Sequence, residues 1–546
     1  MVNDWLVIHK NSYWIKIVFL IILTSIISIL MGGWNFTLPG LQFDEVNHAA
    51  FAPGVMDANA ARLHTFRLPD NYIDSKDGLY QYPILGGSFY NSVITTYMGL
   101  PFYETFGFSF AGLRYFHGVI GFLSVLLGSL LVARVVGFLP AYFFAVVVMS
   151  NPDFVFSLRS QGAILWPVVL FALGSIHLLL WVPSDLHVRG RSLLVFFSGV
   201  CLGLSVMSYF VGAFIVLPIL VSAWYYLRKN KRDYIVLLFG LLVGYLPVIY
   251  AVVSVFWVNP TLLNRCGLPQ FAIENNLHTF SQDNVHRTLL LFIKGFGDFP
   301  FTKGVTGTFR VSCVYLRFFF FIAIVIGGIF EIMRRKCSFS QIILFVIICG
   351  TFATYLLGAF FLKSLSFHHL LPLFFFLVIQ LAVLISINGY TKYLFIPLGI
   401  ILLVSNVNTL ILAHGSLVRT GGYGYHNEMY QQCDNILSSE CDDCFPIFIS
   451  WGVHLQYLFL TNGQKKFAFI PGITPKEIRD LLVKHGKIAL IGSVKDISDV
   501  EFSDYGIIDY HSVELRQRDG VGLYKIIMLK ISNDKPKKMI KRDTAS

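Results

Sequence analysis

The sequence predicts an α-helical polytopic membrane protein of about eleven transmembrane helices with a small α/β domain at its C-terminal end. Three observations carry that prediction. The 546 residues are 55% hydrophobic and only 13% charged, with a mean hydropathy of +0.66, whereas soluble domains carry about 25% charge. Apolar runs of membrane length recur up to about residue 413, and the gaps between them alternate in basic content. From about residue 415 the chain turns polar, with short apolar stretches flanking a capped helix start.

The first span is Ile17 to Met31, which lacks a small-residue cleavage site and reads as a retained helix. Lys10 and Lys16 set its N-terminal side in the cytoplasm, so an outer loop follows over about 32–110. Within that loop, Tyr82 to Phe106 is apolar and aromatic but broken by Pro83, Gly86, Gly87 and Pro101, and it reads as interfacial helices. Further spans are expected near 112–133, 138–156, 162–182, 193–210, 212–227 and 234–256. A second outer loop covers about 257–310, and spans near 311–333, 341–361, 370–388 and 393–413 complete the set. Arg134, Arg189 with Arg191, Arg228 to Arg232, Arg334 to Lys336 and Lys392 all fall on one side under this reading. The net charge of +11 is the ordinary consequence of such cytoplasmic loops and gives no support to nucleic-acid binding.

Residues 1–414 are thus read as a transmembrane domain and residues 415–546 as an extracytoplasmic α/β domain, since an odd number of spans leaves the tail outside. In the tail, Phe445 to Trp451, Lys466 to Ile470 and Lys487 to Val494 read as short buried strands. Thr474, Pro475 and Glu477 mark a helix start, with Thr as N-cap, Pro at the first position and Glu three after the cap. Cys433, Cys441 and Cys444 cluster in this polar segment, where an oxidising compartment favours a disulfide with one thiol left over above zinc. Cys266 is a distant alternative partner.

Several chemistries are excluded. No Gly-rich phosphate loop ends in Lys-Ser/Thr, and no strand leads into a dinucleotide-type glycine pattern. The inner loops are too short to house a soluble nucleotide-sugar domain. What stands out is Phe43-Asp44-Glu45-Val46-Asn47-His48, shortly after the first span. Two adjacent carboxylates at a membrane surface can be tuned toward proton transfer, although most such pairs are solvated loop residues.

With that element in place, the chain resembles the multi-spanning GT-C glycosyltransferases, in particular the protein O-mannosyltransferase-like and aminoarabinose-transferase-like enzymes of the family 39 type. Phe43-Asp44-Glu45-Val46 matches their Phe-Asp-Glu-Val/Ala element, and Tyr82-Pro83-Ile84-Leu85 stands where they carry Pro-Pro-Leu. Gly107 through Gly137, with Arg114, Gly121, Gly128 and Arg134, follows their Arg-initiated second span. Asn151-Pro152 followed by Arg159 fits their Pro-then-Arg outer loop, and His368-His369-Leu370-Leu371-Pro372 resembles their Arg-Tyr-x-x-Pro start of a late span. The likeness covers roughly residues 15 to 390. The chain departs from the pattern at Asn47, which shifts His48 by one place, and at the missing second Pro. It departs again at Gly162-Ala163-Ile164, where an acid often stands, and near Ser208-Tyr209, where a Lys is common.

The resemblance implies transfer of a sugar from a polyprenyl-phosphate carrier to an acceptor hydroxyl of a glycan, lipid or protein. The expected setting is the periplasmic face of a bacterial inner membrane, with inversion at the anomeric carbon. An acceptor hydroxyl must lose its proton as it attacks, which suits Asp44 as base with Glu45 in support. The leaving lipid phosphate calls for cations, and Arg114, Arg159, Lys363, His368 and His369 are the candidates. His48 lies one helical turn after Asp44, so a helical segment would let Asp44, Glu45 and His48 hold a divalent metal. Each of these residues has a plainer reading: Arg114 as a snorkelling anchor, Arg159 as a loop cation, the His pair as a helix cap. An O-antigen polymerase or ligase would instead depend on basic residues of the outer loops. A transporter or flippase should show charges or broken helices inside the membrane, and the spans read as largely free of both.

Overall fold

The structure, a computed structural model, describes residues 2–41, 45–46, 49, 52, 85–88, 91–92, 94–160, 162–181, 188–228, 230–258, 282–307, 314–334, 337–362, 365–387, 390–450, 453–498 and 507–531. Helix α1 (Val2–Ile27) runs on through a π-helical turn, Ser28–Gly32. A short antiparallel hairpin, β1 (Leu85–Ser88) and β2 (Asn91–Ser92), precedes α2 (Ile94–Phe106). The expected interfacial helices are therefore one helix and a hairpin, because Gly86-Gly87 disfavours helix and suits a tight strand pair.

Helices α3 (Phe110–Val136) and α4 (Phe138–Met149) follow, and then a break. The span predicted over 138–156 stops at Met149. Asn151 accepts a hydrogen bond from Phe154 N at 2.9 Å and Pro152 takes the first helical position, which starts a new helix, α5 (Pro152–Ser157). The bundle continues with α6 (Gly162–Leu180), α7 (Val188–Ser208), α8 (Gly212–Leu227) and α9 (Lys231–Val258). After α10 (Gln282–Gly297) and α11 (Pro300–Thr306) come α12 (Val314–Arg334), α13 (Phe339–Phe361), α14 (Leu371–Ser386) and α15 (Tyr390–Thr420). Among the described residues, eight helices are long and apolar enough to cross a membrane, and three shorter apolar ones, α4, α6 and α8, complete the eleven that hydropathy predicts.

Helix α14 is apolar on every side and almost entirely buried, so it forms the axis of the bundle. Helices α3, α4, α6, α12, α13 and α15 pack against it. A second tight seam joins α7 to α9. A Cβ on Gly203 would meet Leu241 O at 2.3 Å, and one on Gly240 would meet Phe196 O at 2.2 Å, so glycine lets these two backbones touch. Gly199 with Gly203 and Gly240 with Gly244 repeat the small-xxx-small spacing that membrane helices use for close approach.

After α15 the chain forms α16 (Cys433–Glu440), β3 (Phe445–Phe448), α17 (Val453–Leu460), β4 (Ala468–Phe469), α18 (Pro475–His485), β5 (Lys487–Ser493), α19 (Val494–Ser498), β6 (Ile507–Arg516) and β7 (Gly522–Ile531). The sheet order is β4-β3-β5-β7-β6, parallel through its first three strands and antiparallel thereafter. Thr474 and Glu477 form the expected capping box at α18. The β6–β7 hairpin is an addition to the sequence reading, which ended at β5. Cys441 and Cys444 form a disulfide and Cys433 keeps a buried thiol, while Cys266 lies outside the described residues.

The α7–α9 seam yields a first prediction. Gly203→Val should destabilise the detergent-solubilised protein by about 1–3 kcal/mol or more through overpacking against backbone. Gly118→Ala in α3, where a Cβ meets nothing within 4 Å, should be neutral or stabilising by up to about 1 kcal/mol. The fraction of monodisperse protein surviving a temperature series reads both.

Candidate active site

Asp44, His48 and Lys363 lie outside the described residues, and Glu45 is the part of the acidic element that the structure describes. Glu45 is fully buried and accepts from Arg114, Nε to Oε1 at 2.9 Å and Nη2 to Oε2 at 3.3 Å. Arg114 projects from the first turns of α3, where Ser109 caps the helix by accepting from Gly112 N. Its remaining donors reach main-chain carbonyls: Phe36 O through Nη1, and Pro39 O at 2.7 Å, Gly40 O at 3.4 Å and Arg159 O at 3.3 Å through Nη2. Both Glu45 oxygens are engaged by the Arg114 guanidinium, and the other two residues of the expected metal set, Asp44 and His48, lie outside the described residues.

Arg159, in the turn after α5, does for the loop just upstream what Arg114 does for its end. Nη1 donates to Asn35 O at 3.1 Å and Leu38 O at 2.9 Å. Nη2 donates to Met31 O, Gly32 O and Trp34 O at 3.3, 2.9 and 2.7 Å. Burial, and then the neighbouring Arg114 cation, pull its pKa below the ordinary arginine range, with Glu45 opposing. Two buried arginines thus satisfy most of the carbonyls of residues 31–40, the end of the π-helical turn and the irregular stretch after it that leads toward the acidic element.

The other end of α5 faces a small pocket in which Asn151, Asp153, Arg317 and His368 stand among aromatic and apolar residues such as Phe296, Phe299 and Phe374. Asp153 is buried, and its Oδ1 accepts from Thr302 N at 2.7 Å and Thr302 Oγ1 at 2.6 Å. Arg317, in the first turn of α12, lies over the Phe299 ring at 3.7 Å and donates to Ser405 Oγ at 3.0 Å and Asn406 Oδ1 at 3.2 Å. Asn406 in turn donates to Val147 O at 3.1 Å, tying α15 to the end of α4. Helix α5 therefore links two charged clusters at the same end of the bundle, one around Glu45 and one around Arg317.

His368 and His369 sit in a 3-10 turn, Phe367–Leu370, ahead of α14. His368 lines the pocket and lies 2.9 Å from Ser366 Oγ through Nδ1. His369 is turned away: Ser366 N donates to its Nδ1 at 3.0 Å, which makes Nε2 the protonated nitrogen, 3.0 Å from the Tyr209 hydroxyl. Tyr209 is thus bonded to the His pair in the region where the resembled enzymes often have a Lys.

Sequence reading missed Asp153, Thr302 and Arg317. Arg317 had a legible signal, a lone cation within an apolar run. Arg317 and Glu331 on α12 are both buried, which corrects the expectation of spans largely free of charge.

The buried pair gives a second prediction. Glu45→Gln leaves Arg114 buried with one charge unanswered and should cost about 3–5 kcal/mol in stability. The double variant Glu45→Gln/Arg114→Met should cost less than the sum of the two singles by about 0.5–3 kcal/mol. Unfolding in mixed micelles measures the cycle, and additivity would show that the pair is not coupled.

No known protein family and no curated relative matches the sequence. Solved structures do match in fold. ArnT from Cupriavidus metallidurans in the apo state aligns with a TM-score of 0.58 at 11% identity, covering 95% of this chain and 98% of that chain. The same protein bound to undecaprenyl phosphate aligns with a TM-score of 0.57 at 12% identity, over 96% of this chain and 99% of that chain. The Archaeoglobus fulgidus oligosaccharyltransferase in the apo form gives 0.51 at 13% identity, over 89% of this chain and 70% of that chain. At such identities the likeness shows the fold alone, and the fold is the GT-C fold that these solved structures share.

Proposed function

We propose that this protein transfers a sugar from a polyprenyl-phosphate-linked donor to an acceptor hydroxyl of a glycan, lipid or protein, at the extracytoplasmic face of a bacterial inner membrane. The observation that carries the reading is the pocket of Asp153, Arg317 and His368, joined through α5 to the buried Arg114–Glu45 pair. The fold supports a lipid-borne donor, since a structure of the same architecture is bound to undecaprenyl phosphate. Topology supports the face: the basic residues Arg134, Arg191, Arg228 and Arg334 fall at the opposite helix ends from Asp153 and Glu45.

In the proposed reaction the acceptor oxygen attacks the anomeric carbon, the bond from that carbon to the phosphate oxygen breaks, and polyprenyl phosphate leaves. A single displacement inverts the anomeric configuration. The acceptor proton passes to Asp44, next to the anchored Glu45. Charge gathering on the departing phosphate is met by Arg317 and His368, which line the pocket. Arg114 and Arg159 act one step back by shaping the loop that delivers Asp44. Lys363 belongs to the connection before the His pair and stays a candidate cation for the phosphate.

Two measurements test this. Undecaprenyl phosphate binding should weaken about ten- to a hundredfold in Arg317→Gln or His368→Ala, the loss of one charge-assisted contact. Wild-type affinity in both variants would move the donor elsewhere. Turnover is read as undecaprenyl phosphate released from a panel of undecaprenyl-phosphate hexoses and pentoses. Asp44→Asn should lower it by about 10²–10⁴, and a folded Asp44→Asn variant with normal turnover would remove the base.

A further inference from the structure

The C-terminal sheet domain is far from the acidic element in sequence and against it in space. Gln456, on α17, is buried and donates through Nε2 to Leu41 O at 2.8 Å, across 415 residues of chain. Around that bond Leu455, Leu458 and Phe459 of the same helix close a buried cluster with Leu41, Val46, Ala49, Ala52, Tyr103 and Leu113. Phe459 meets the Tyr103 and Phe108 rings edge-on, with centroids 5.8 and 5.6 Å away. One residue upstream of Leu41, Gly40 lies so close to the domain that a Cβ there would fall 2.1 Å from the Asn427 backbone. Asn427 is itself fixed, donating to Thr420 O at 3.2 Å and Gly422 O at 2.8 Å.

We infer that this docking is a brace that sets the position of the acidic element, with Gln456 as its positioning residue. The geometry is one of two anchors. Leu41 is held from the tail by Gln456, and Glu45 is held from the bundle by Arg114. Asp44 lies between them, next to one anchor and three residues from the other. The stretch between the anchors is three residues long, at most about 3.3–3.6 Å each, so freeing either anchor frees one end of the acidic element. A misplacement of about 1 Å costs about a hundredfold in rate when a reacting group must meet its partner in line. The inference rests on the reading of Asp44 as the reacting carboxylate.

The test uses the full-length protein and the undecaprenyl-phosphate-sugar that the wild type consumes best. Gln456→Met keeps the volume and removes the donor. It should lower kcat about ten- to a hundredfold and leave the donor KM near the wild-type value, because the donor pocket is untouched. Amide hydrogen exchange over residues 38–46 should become faster. Ile478→Val, a mild loss in the sheet core away from the contact, is the control for general loosening of the domain and should change neither readout. Normal kcat in Gln456→Met alongside an inactive Asp44→Asn would overturn the brace and spare the base. Normal turnover in Asp44→Asn would overturn the reading of Asp44, and this inference with it. An equal fall in kcat for Ile478→Val would also overturn the brace, since domain stability and not the anchor would then set the rate.

Discussion

The constraint on which the rest depends is the irregular stretch after α1 and its π-helical turn. Residues 31–40 leave the helix within a protein that has few polar partners to offer, and every main-chain carbonyl without a partner there would cost free energy. Arg114 and Arg159 meet that need together: Nε, Nη1 and Nη2 of Arg114 and Nη1 and Nη2 of Arg159 are all directed at backbone oxygens or at Glu45. A guanidinium suits the task because its planar fork reaches several acceptors at once and stays charged when buried. The acidic element is consequently the end of a stretch whose course is fixed by side chains from two other segments.

Those segments meet at α5, and this short helix explains why the clusters share one end of the bundle. Asn151 and Pro152 force the chain out of α4 and start α5 at once, so Asp153 turns to Thr302 and Arg159 turns to the loop after α1. Had the predicted span over 138–156 run unbroken, Asp153 would have followed the helix spiral instead. Asn406 adds the cross-tie from α15 to the end of α4 and holds Arg317 from behind. Pocket, loop and acidic element are in this way built from connections, while the long helices supply the frame.

That division also explains what could be read from the chain alone. Hydropathy and the basic gaps report helices one at a time, and the spans, the capping box at Thr474 and the tail strands β3, β4 and β5 were legible for that reason. Resemblance singled out Glu45, Arg114, Arg159, His368 and His369 one by one, but not the pairings that the structure gives them. Whether Arg159 meets a ligand or a ring of carbonyls is decided by residues more than a hundred positions away. Nothing in the sequence pairs Asp153 with Thr302. Contacts between Leu41 and Gln456 follow from no period and no composition. The β6–β7 hairpin had a signal that was overlooked, since Ile507 to Arg516 and Gly522 to Ile531 are long enough and rich enough in β-branched and aromatic residues to pair.

The charges add a last step. Among the described residues of the two clusters, Arg114, Arg159 and Arg317 are buried cations, and Glu45 and Asp153 are buried carboxylates. Burying an unmatched cation is costly unless something anionic accompanies it. In the proposed reaction Asp44 would offer one balancing charge when ionised, and the donor phosphate another. The two need not be equivalent through the proposed reaction. Before transfer the donor is a phosphodiester with a single negative charge, while Asp44 is an ionised base. Afterwards Asp44 holds the acceptor proton and the released carrier is a phosphate monoester with a second ionisable oxygen. On that proposal one negative charge would leave Asp44 and one would appear on the carrier phosphate as the bond breaks, with no net change in the charge of the site, and the fixed cations Arg114, Arg159 and Arg317 would suit such a transfer.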